Sequence, residues 1–313
     1  MGKDVAVLGA GVSALTTGIC AARAGWSVTL YSPRMPLETT SAKAAASFEP
    51  HLVELGGLPA DTLARAWAGF DAVERSAGPS AGVRRQTHWD AASVPLTDEP
   101  FLDVVEDVRI AERPDVPGGY AFGRSFTTFF VDTPIYLPWL TAELARLGGS
   151  LVLVEQPLTA ADVAALPADQ VVNCTGLGAR ELVGDDRVRP IRGQIVVVDP
   201  IPDMDWSISA DGFYLYPRRG DTVVGGTAEL DVEEETTEPA VVDALLRAAR
   251  RVVPRIGELR VHRTYAGLRP YRHDTVRVEA EELFGKQVVH NYGHGGGGIT
   301  MSWGTAELAV ALL

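Results

Sequence analysis

Two glycine-rich stretches near opposite ends of the chain contain residues whose type and spacing could do chemistry. Near the start, Gly9, Ala10, Gly11 and Ala14 follow the apolar run Val5–Leu8 and open a helical pattern. A glycine turn between a buried strand and a helix lets the backbone approach a dinucleotide pyrophosphate, whose charge meets the positive end of the helix. Ala14, at the third position of the motif, still allows close helix–strand packing. The sequence therefore predicts a bound dinucleotide here.

The second glycine-rich stretch lies near the other end of the chain, where Gly295–Gly298 are followed by Ile299, Thr300 and a helical pattern. Four consecutive glycines by themselves are typical of a flexible turn. Their position directly before a closing helix favours a binding site, because the positive end of a helix stabilises negative charge.

Arg269 is the side chain with the most specific binding chemistry. It lies in the stretch GLRP, residues 267–270. A guanidinium forks onto a carboxylate through two parallel hydrogen bonds, which fixes the orientation of the ligand as well as its charge. The alternative interpretation is a surface ion pair, the usual role of an arginine.

The elements that must position these residues begin with a complete βαβ unit. The helix after Gly11 ends at Gly25, and Val28–Tyr31 follow as a second strand. The next loop contains Thr39–Ser41, and the small residues after Ser41 can start a helix capped by a hydroxyl.

The rest of the chain interleaves strands with helices. A helix is predicted to begin at 132–134, and the apolar runs Leu151–Val154 and Gln170–Cys174 are predicted to be central strands. Residues 193–225 are rich in strand signals, with Tyr214–Pro217 and Thr222–Gly225 flanking a turn. A β-rich middle between a βαβ unit and a closing helix predicts a nucleotide-binding domain built from discontinuous segments, with a substrate domain inserted.

Composition excludes several functional classes. The chain has 313 residues, 46% hydrophobic and 22% charged, as expected for a soluble globular protein with two subdomains. A net charge of −13 argues against nucleic acid or an anionic membrane as a partner, and no apolar run has the length of a transmembrane helix. The two cysteines fall in predicted core elements, which indicates reduced thiols and a cytoplasmic location. His290 and His294 lack a third ligand, so no metal is predicted.

Four stretches, in the same order, resemble the D-amino-acid oxidase family of FAD enzymes. They are VAVLGAGVSALTTG at the start, TTSAKAAASFEP at 39–50, VVNCTG at 171–176 with RGQ at 192–194, and GLRPYR at 267–272 followed by HNYGHGGGGIT at 290–300. The first motif is generic to dinucleotide enzymes, whereas the last pair is more specific. The resemblance implies an α/β fold with a Rossmann-like FAD-binding domain (1–50, 132–192 and 265–313) and an inserted α+β substrate-binding domain of mostly antiparallel sheet (51–131 and 193–264).

The resemblance also implies how FAD is bound. The pyrophosphate would be held by the first glycine motif, Thr300 would donate to the flavin C2 carbonyl, and Leu158 would meet the adenine through its backbone. In full, the implied cofactor residues are Gly9, Ala10, Gly11, Ala14, Arg34, Thr39, Thr40, Ser41, Ala45, Ala46, Leu158, Thr175, Gly295, Gly296, Gly298, Ile299 and Thr300. Pro33 stands where the family often has an acidic residue for the ribose hydroxyls, which puts the ribose contact in question.

For the substrate, the resemblance implies that Arg269 and Tyr214 anchor a carboxylate and that the Gly296 carbonyl accepts from the amine. The implied reaction is oxidative deamination of D-α-amino acids to 2-oxo acids and ammonia, with hydride transfer to flavin N5 and reduction of O2 to hydrogen peroxide. We expect Tyr216 to lie on the opposite face of its strand. Arg218 and Arg219 leave acidic D-amino acids open as substrates, although a turn is their default location.

Two alternatives to this function stay open, together with the oligomeric state. The nearer is a glycine- or sarcosine-type amine oxidase of the same superfamily, and the farther is a flavin-binding protein without activity. The expected partners are a small D-amino acid and O2, and a homodimer is left open.

Overall fold

The computed structural model describes residues 3–313, which form seven α-helices and fifteen β-strands in two sheets. The helices are α1 (Val12–Arg23), α2 (Thr62–Ser76), α3 (Thr133–Arg146), α4 (Ala160–Ala164), α5 (Ala179–Leu182), α6 (Pro239–Ala249) and α7 (Gly298–Val310). The strands are β1 (Asp4–Leu8), β2 (Ser27–Ser32), β3 (Val83–Ala92), β4 (Glu106–Glu112), β5 (Phe122–Val131), β6 (Ser150–Leu153), β7 (Gln170–Asn173), β8 (Val188–Val198), β9 (Trp206–Ala210), β10 (Phe213–Pro217), β11 (Thr222–Gly225), β12 (Glu229–Leu230), β13 (Val261–Arg272), β14 (Arg277–Leu283) and β15 (Lys286–Tyr292).

The smaller sheet has six strands and is parallel except at one edge. Its order is β14-β15-β7-β1-β2-β6, and β14 runs antiparallel to β15. The predicted βαβ unit is present as β1, α1 and β2. Because β1 is a central strand, the glycine turn after it opens at the carboxyl edge of the parallel strands, the place where such sheets bind ligands.

Both faces of the smaller sheet are covered. Val5 and Val7 of β1 pack into the core shared with α1, α2, α3 and α7, while Ala6 and Leu8 pack on the other side against Val163 of α4. Successive side chains of a strand point to opposite faces, so a strand buried on both sides must be apolar throughout. This burial is the physical reason for the short apolar run at the start of the chain.

The larger sheet has nine strands and is mostly antiparallel, as predicted. Its order is β12-β8-β11-β10-β9-β3-β5-β4, with β13 also paired to β8, and β3 and β9 form its parallel pair. Helix α6 covers one face, where Leu245 and Ala249 pack near Val196 and Leu215. The opposite face, which carries Ile195, Tyr216 and their neighbours, is turned toward the glycine turn of the smaller sheet.

Two local predictions were wrong. The run Leu151–Val154 was expected to be a central strand, yet β6 is an edge strand whose Leu153 is 56% exposed. The residues after Ser41 form only a single 3-10 turn, Thr40–Lys43, without a hydroxyl cap. The Ser41 hydroxyl is engaged elsewhere, because it accepts a hydrogen bond from the Val12 N–H at 3.0 Å. In both cases, contacts with residues distant in the sequence determine the local structure.

Two of the predicted domain boundaries fall within paired strands. The boundaries at 192/193 and 264/265 fall inside β8 and β13, two strands that pair along most of their length. The division of the chain into an FAD-binding and a substrate-binding domain therefore stays a prediction, while the two sheets are observed.

Among the helices within residues 3–313, none has both the length and the apolar character that crossing a membrane requires.

Candidate active site

A cavity of about 1160 Å³ lies between the two sheets and collects nearly all of the predicted site residues. It is lined by Gly9, Ala10, Gly11, Arg34, Thr39, Thr40, Ser41, Ala45, Ala46, Leu158, Thr175, Tyr214, Arg269, Gly295, Gly296, Gly298, Ile299 and Thr300. Ala14 is the exception, because its side chain is fully buried under the glycine turn. The two glycine-rich stretches, almost 290 residues apart, thus border the same space.

The first glycine turn is shaped by close backbone approach. Gly9 has a φ of +118°, and a side chain at this position would lie 2.7 Å from the Cys174 carbonyl oxygen and 3.6 Å from the Cβ of Ala14. Only glycine adopts such a conformation without strain. Ala14 therefore supports the turn by packing beneath it and does not itself reach the cavity, which corrects its prediction as a cofactor contact.

The hydroxyl loop at 39–41 closes over the start of α1. Besides the bond from Val12, a side chain on Gly11 would lie 3.1 Å from Ser41 Oγ and 3.9 Å from Thr39 Oγ1. The first turn of α1 carries no acidic residue, so no carboxylate offsets the positive end of the helix dipole. This corner of the cavity is suited to an anion.

Two further predicted residues, Thr175 and Arg34, line the cavity. The Thr175 hydroxyl donates to Asn173 Oδ1 at 2.7 Å and is therefore engaged by the protein. Arg34 is exposed, and Pro33 beside it also lines the cavity. The structure thus supplies no carboxylate from residue 33 for a ribose.

Thr300 is positioned by its own side chain. Its hydroxyl donates to the Glu49 carbonyl oxygen at 2.9 Å and accepts from the Glu49 N–H at 3.1 Å. These bonds fasten the start of α7 to the loop that precedes α2. The hydroxyl is engaged by the protein, so any donation from Thr300 to a ligand falls to its backbone N–H.

Arg269 extends from β13 across its neighbour β8 into the cavity. Its Nη1 donates to the Thr227 carbonyl oxygen at 3.0 Å, which leaves the other guanidinium donors for a ligand. Any side chain at Gly193 would overlap this guanidinium. The glycine of the RGQ stretch is therefore required by the arginine that lies over it.

Tyr214 and Tyr216 both face the cavity. Their rings stack with centroids 4.8 Å apart. Burial raises the pKa of the Tyr214 hydroxyl, and the nearby Arg269 guanidinium opposes that rise. The expectation that Tyr216 points the other way was wrong, since side chains two residues apart on a strand share a face.

His51 is a cavity residue that sequence reasoning missed. Its side chain is exposed to the cavity, yet surrounding protein atoms and the positive charge of Arg269 lower its pKa to about 4. The backbone of His51 also packs closely against the second glycine stretch, because a side chain on Gly296 would lie 2.5 Å from the His51 carbonyl oxygen. His51 is thus a neutral imidazole near Arg269.

The arginines of the β10–β11 turn are not available to a substrate. Arg218 is buried and its Nε donates to Asp221 Oδ1 at 2.6 Å, and neither Arg218 nor Arg219 lines the cavity. Arg218 and Arg219 therefore belong to the turn, their default location, and not to the cavity wall.

The histidines considered for a metal are separate in space and differently bonded. His290 contacts Glu281 at 2.7 Å, whereas His294 contacts Thr305 at 3.0 Å. A different group, Glu49, His88 and Asp90, has ligand atoms within 4.8 Å of one another. Asp90 there already accepts a hydrogen bond from Arg124 at 2.6 Å.

Comparison with known proteins identifies the family. The family model described as FAD dependent oxidoreductase matches residues 4–312. The chain belongs to this family of FAD-dependent oxidoreductases. It is 36% identical to a D-amino-acid oxidase of Streptomyces coelicolor over 99% of this chain and 96% of the relative. It is 38% identical to a D-amino-acid oxidase of Rubrobacter xylanophilus over 98% and 94%. Glycine oxidase from Geobacillus kaustophilus has a similar fold, with a TM-score of 0.79 at 22% identity over 99% of this chain and 94% of that structure.

The residues of this oxidoreductase fit the family's cofactor, FAD. Gly9 and Gly11 line the cavity with backbone alone, beside a helix start whose first turn has no acidic residue. The cavity of about 1160 Å³ exceeds the roughly 300–1,000 Å³ of ordinary small-molecule sites, as a dinucleotide together with a substrate requires. The predicted cofactor is thus the one that the family uses.

Other lining residues were also missed by sequence reasoning. Glu49 and His51 flank Pro50 directly after the predicted flavin segment, and Lys43 and Thr227 complete the wall near Arg269. The signal that could have found Glu49 and His51 is their chemistry, since titratable side chains in a loop next to a binding motif are candidates for the site.

Proposed function

We propose that this oxidoreductase is a D-amino-acid oxidase, which converts D-α-amino acids, O2 and water to 2-oxo acids, ammonia and hydrogen peroxide. The observation that carries the proposal is the Arg269 guanidinium, which enters the cavity that the predicted FAD-binding residues also line and has the half-buried Tyr214 side chain beside it. A guanidinium with free donors and a phenol hydroxyl together match an α-carboxylate. The relatives named D-amino-acid oxidase support the same substrate class.

In this function each residue of the substrate end has one role. Arg269 is held by Thr227 and binds the carboxylate through its remaining N–H groups. Tyr214 donates a hydrogen bond to the same carboxylate, and the raised pKa keeps its hydroxyl protonated. The backbone carbonyl of Gly296 orients the amine. The redox chemistry, acceptance of the hydride from the α-carbon and reduction of O2, would be supplied by FAD when it is bound.

The protein's contribution to rate is then positioning and exclusion of water. His51, the imidazole near Arg269, is a weak base, because surrounding protein atoms and the charge of Arg269 lower its pKa to about 4. The scheme requires no side-chain base, because the α-hydrogen leaves as hydride and the imino acid product hydrolyses to the oxo acid and ammonia.

A second candidate is a glycine- or sarcosine-type amine oxidase. The similarity in fold to glycine oxidase favours keeping it. A flavin-binding protein without activity is disfavoured, because a pure binder has no use for Arg269 beside Tyr214. A cytoplasmic location and a homodimer stay predictions from the sequence.

The test is anaerobic reduction of the purified, FAD-loaded protein by a panel of D-amino acids, their L-isomers, glycine and sarcosine. We expect the flavin absorbance near 450 nm to bleach with D-isomers and to return with O2 and stoichiometric hydrogen peroxide. Bleaching by glycine and sarcosine alone would support the second candidate. No bleaching with any of these compounds would refute both enzyme functions.

A further inference from the structure

Glu49 is a carboxylate in the cavity wall that the proposed mechanism does not use. It follows the hydroxyl loop and the buried Phe48, and its side chain is 17% exposed, toward the cavity. The Tyr216 hydroxyl donates to Glu49 Oε2 at 3.1 Å. Glu49 is therefore fixed in direction, with its carboxylate at the cavity surface.

The arginine behind Glu49 is paired with other carboxylates. Arg124 bonds to Asp90 at 2.6 Å and to Glu99 at 2.8 Å, while His88 Nε2 lies 3.5 Å from Glu49 and 3.3 Å from Asp90. Within residues 3–313, no lysine or arginine lies within ion-pair distance of Glu49. Glu49 therefore has no lysine or arginine as a counter-charge.

A second observation concerns His88, which lies behind Glu49. His88 is completely buried, and its Nδ1 bonds to Ser207 Oγ at 2.8 Å, but its Nε2 has no hydrogen-bond partner. This nitrogen is directed at the space between the carboxylates of Glu49 and Asp90. Burial and the nearby charges of Asp90 and Glu99 raise the pKa of Glu49, so a cation arriving at its carboxylate would relieve an unfavourable environment.

The neighbours of Arg269 and Glu49 indicate which part of a substrate reaches Glu49. Arg269 lies beside Tyr214, and Glu49 accepts a hydrogen bond from Tyr216, whose ring stacks on that of Tyr214 with centroids 4.8 Å apart. In the proposed function the α-carboxylate binds at Arg269 and the α-amine at the Gly296 carbonyl. A cation for Glu49 therefore comes from the substrate side chain, and the terminal charge of lysine or arginine is carried on a flexible stem of methylene groups.

We propose that Glu49 is a specificity-determining residue that binds the cationic end of a substrate side chain, so that D-lysine and D-arginine are favoured over neutral D-amino acids of the same length. This inference rests on the proposed function, since it needs Arg269 to anchor the α-carboxylate. It adds the class of substrate side chain, which Arg269 alone does not specify.

The experiment compares kcat/KM within two pairs of similar shape, D-lysine with D-norleucine and D-arginine with D-citrulline. For the FAD-loaded wild type in the presence of EDTA, we expect the charged member to be favoured by about 10- to 100-fold, the usual value of a hydrogen bond to a charged group. In Glu49→Gln both ratios should fall toward one. The matched control is Glu235→Gln, since Glu235 also lines the cavity but is paired with Lys43 at 2.9 Å, and this variant should keep both ratios.

The outcomes separate the two proposals. Oxidation of D-norleucine without preference for D-lysine in the wild type would overturn the role of Glu49 and leave the oxidase function standing. This wild-type result decides the matter even if Glu49→Gln fails to fold. A preference that appears only when a divalent metal replaces EDTA would assign Glu49, His88 and Asp90 to a metal and overturn the proposal. If no D-amino acid is oxidised, both the oxidase function and the role of Glu49 are contradicted.

Discussion

The two ends of the cavity are built in different ways. At the proposed cofactor end, the cavity wall is made of backbone and short side chains: Gly9, Gly11, Thr39 and Ser41 lie within one βαβ unit and the loop after it. At the proposed substrate end, the wall carries long side chains from strands that are far apart in sequence, such as Tyr214 on β10 and Arg269 on β13. A ligand shared by a whole family can be held by backbone geometry, whereas a substrate is selected by side chains.

This comparison predicts that the two ends fail independently, and the largest effect belongs to Arg269. In Arg269→Leu, kcat/KM for a neutral D-amino acid should fall by roughly three orders of magnitude, because losing one partner of a buried charged pair costs about 2–5 kcal/mol. FAD should stay bound, as measured by the ratio of absorbance at 450 and 280 nm.

The matched control is Arg263→Leu, which removes another arginine of β13 that is 55% exposed and outside the cavity. It should keep near wild-type kcat/KM. Equal losses in the two variants, or loss of FAD from Arg269→Leu, would contradict the separation of the two ends.

The next effect concerns His294, a buried residue of the cavity wall directly before the second glycine stretch. Burial lowers the pKa of His294 to about 4 from an ordinary 6.5, so the folded state binds fewer protons than the unfolded state between these values. Its contribution to stability is complete above pH 6.5 and is lost as pH falls toward 4, by about 2–3 kcal/mol.

Denaturant unfolding of the wild type and of His294→Asn at pH 7 and pH 4.5 measures this contribution. The variant should lose stability at pH 7 and show a smaller further loss at pH 4.5, while the similar titration of His51 remains in both proteins. Identical pH dependence in the two proteins would show that His294 is not the group responsible.

A smaller effect is expected at the cofactor end from Gly11→Ala. The added Cβ would lie 3.1 Å from Ser41 Oγ, and overpacking of this kind costs about 1–3 kcal/mol. We expect FAD to bind about tenfold or more weakly, with unchanged KM for the substrate once the cofactor is saturating. Gly220→Ala, at a turn with open space around it, is the control and should bind FAD normally. A raised KM in Gly11→Ala would mean that the ends are coupled.

The smallest effect should come from Tyr214→Phe, which tests the part of Tyr214 in binding the substrate carboxylate. Arg269 keeps the charge interaction, and only the phenol hydrogen bond is lost, so KM should rise by roughly tenfold with kcat nearly unchanged. Steady-state kinetics with a neutral D-amino acid test this. A drop in kcat with constant KM would place Tyr214 in the chemical step instead of in carboxylate binding.

Sequence reasoning predicted the cofactor end in more detail than the substrate end. The glycine turn, the hydroxyl loop and the C-terminal glycine stretch were all found, because each depends on local backbone requirements that leave a pattern of residue types. Glu49 and His51 were missed, and Tyr216 was placed on the wrong face. Their positions follow from which strands pair and which loops they meet, and a single sequence does not contain that information in any local pattern.

The amino-acid sequence by itself determined the βαβ unit with its glycine turn at Gly9 and Gly11, and it indicated Arg269 as the candidate carboxylate ligand. Apolar periodicity and glycine conformations are properties of a few neighbouring residues, so they can be read directly. Only the tertiary structure decided that the Thr300 hydroxyl bonds to the backbone of Glu49 and that Ser41 accepts from the first turn of α1 across 29 residues. It also decided that Glu49 lines the cavity with no lysine or arginine partner among residues 3–313. These contacts depend on long-range packing, because their hydrogen bonds and charges join segments that are far apart in the sequence.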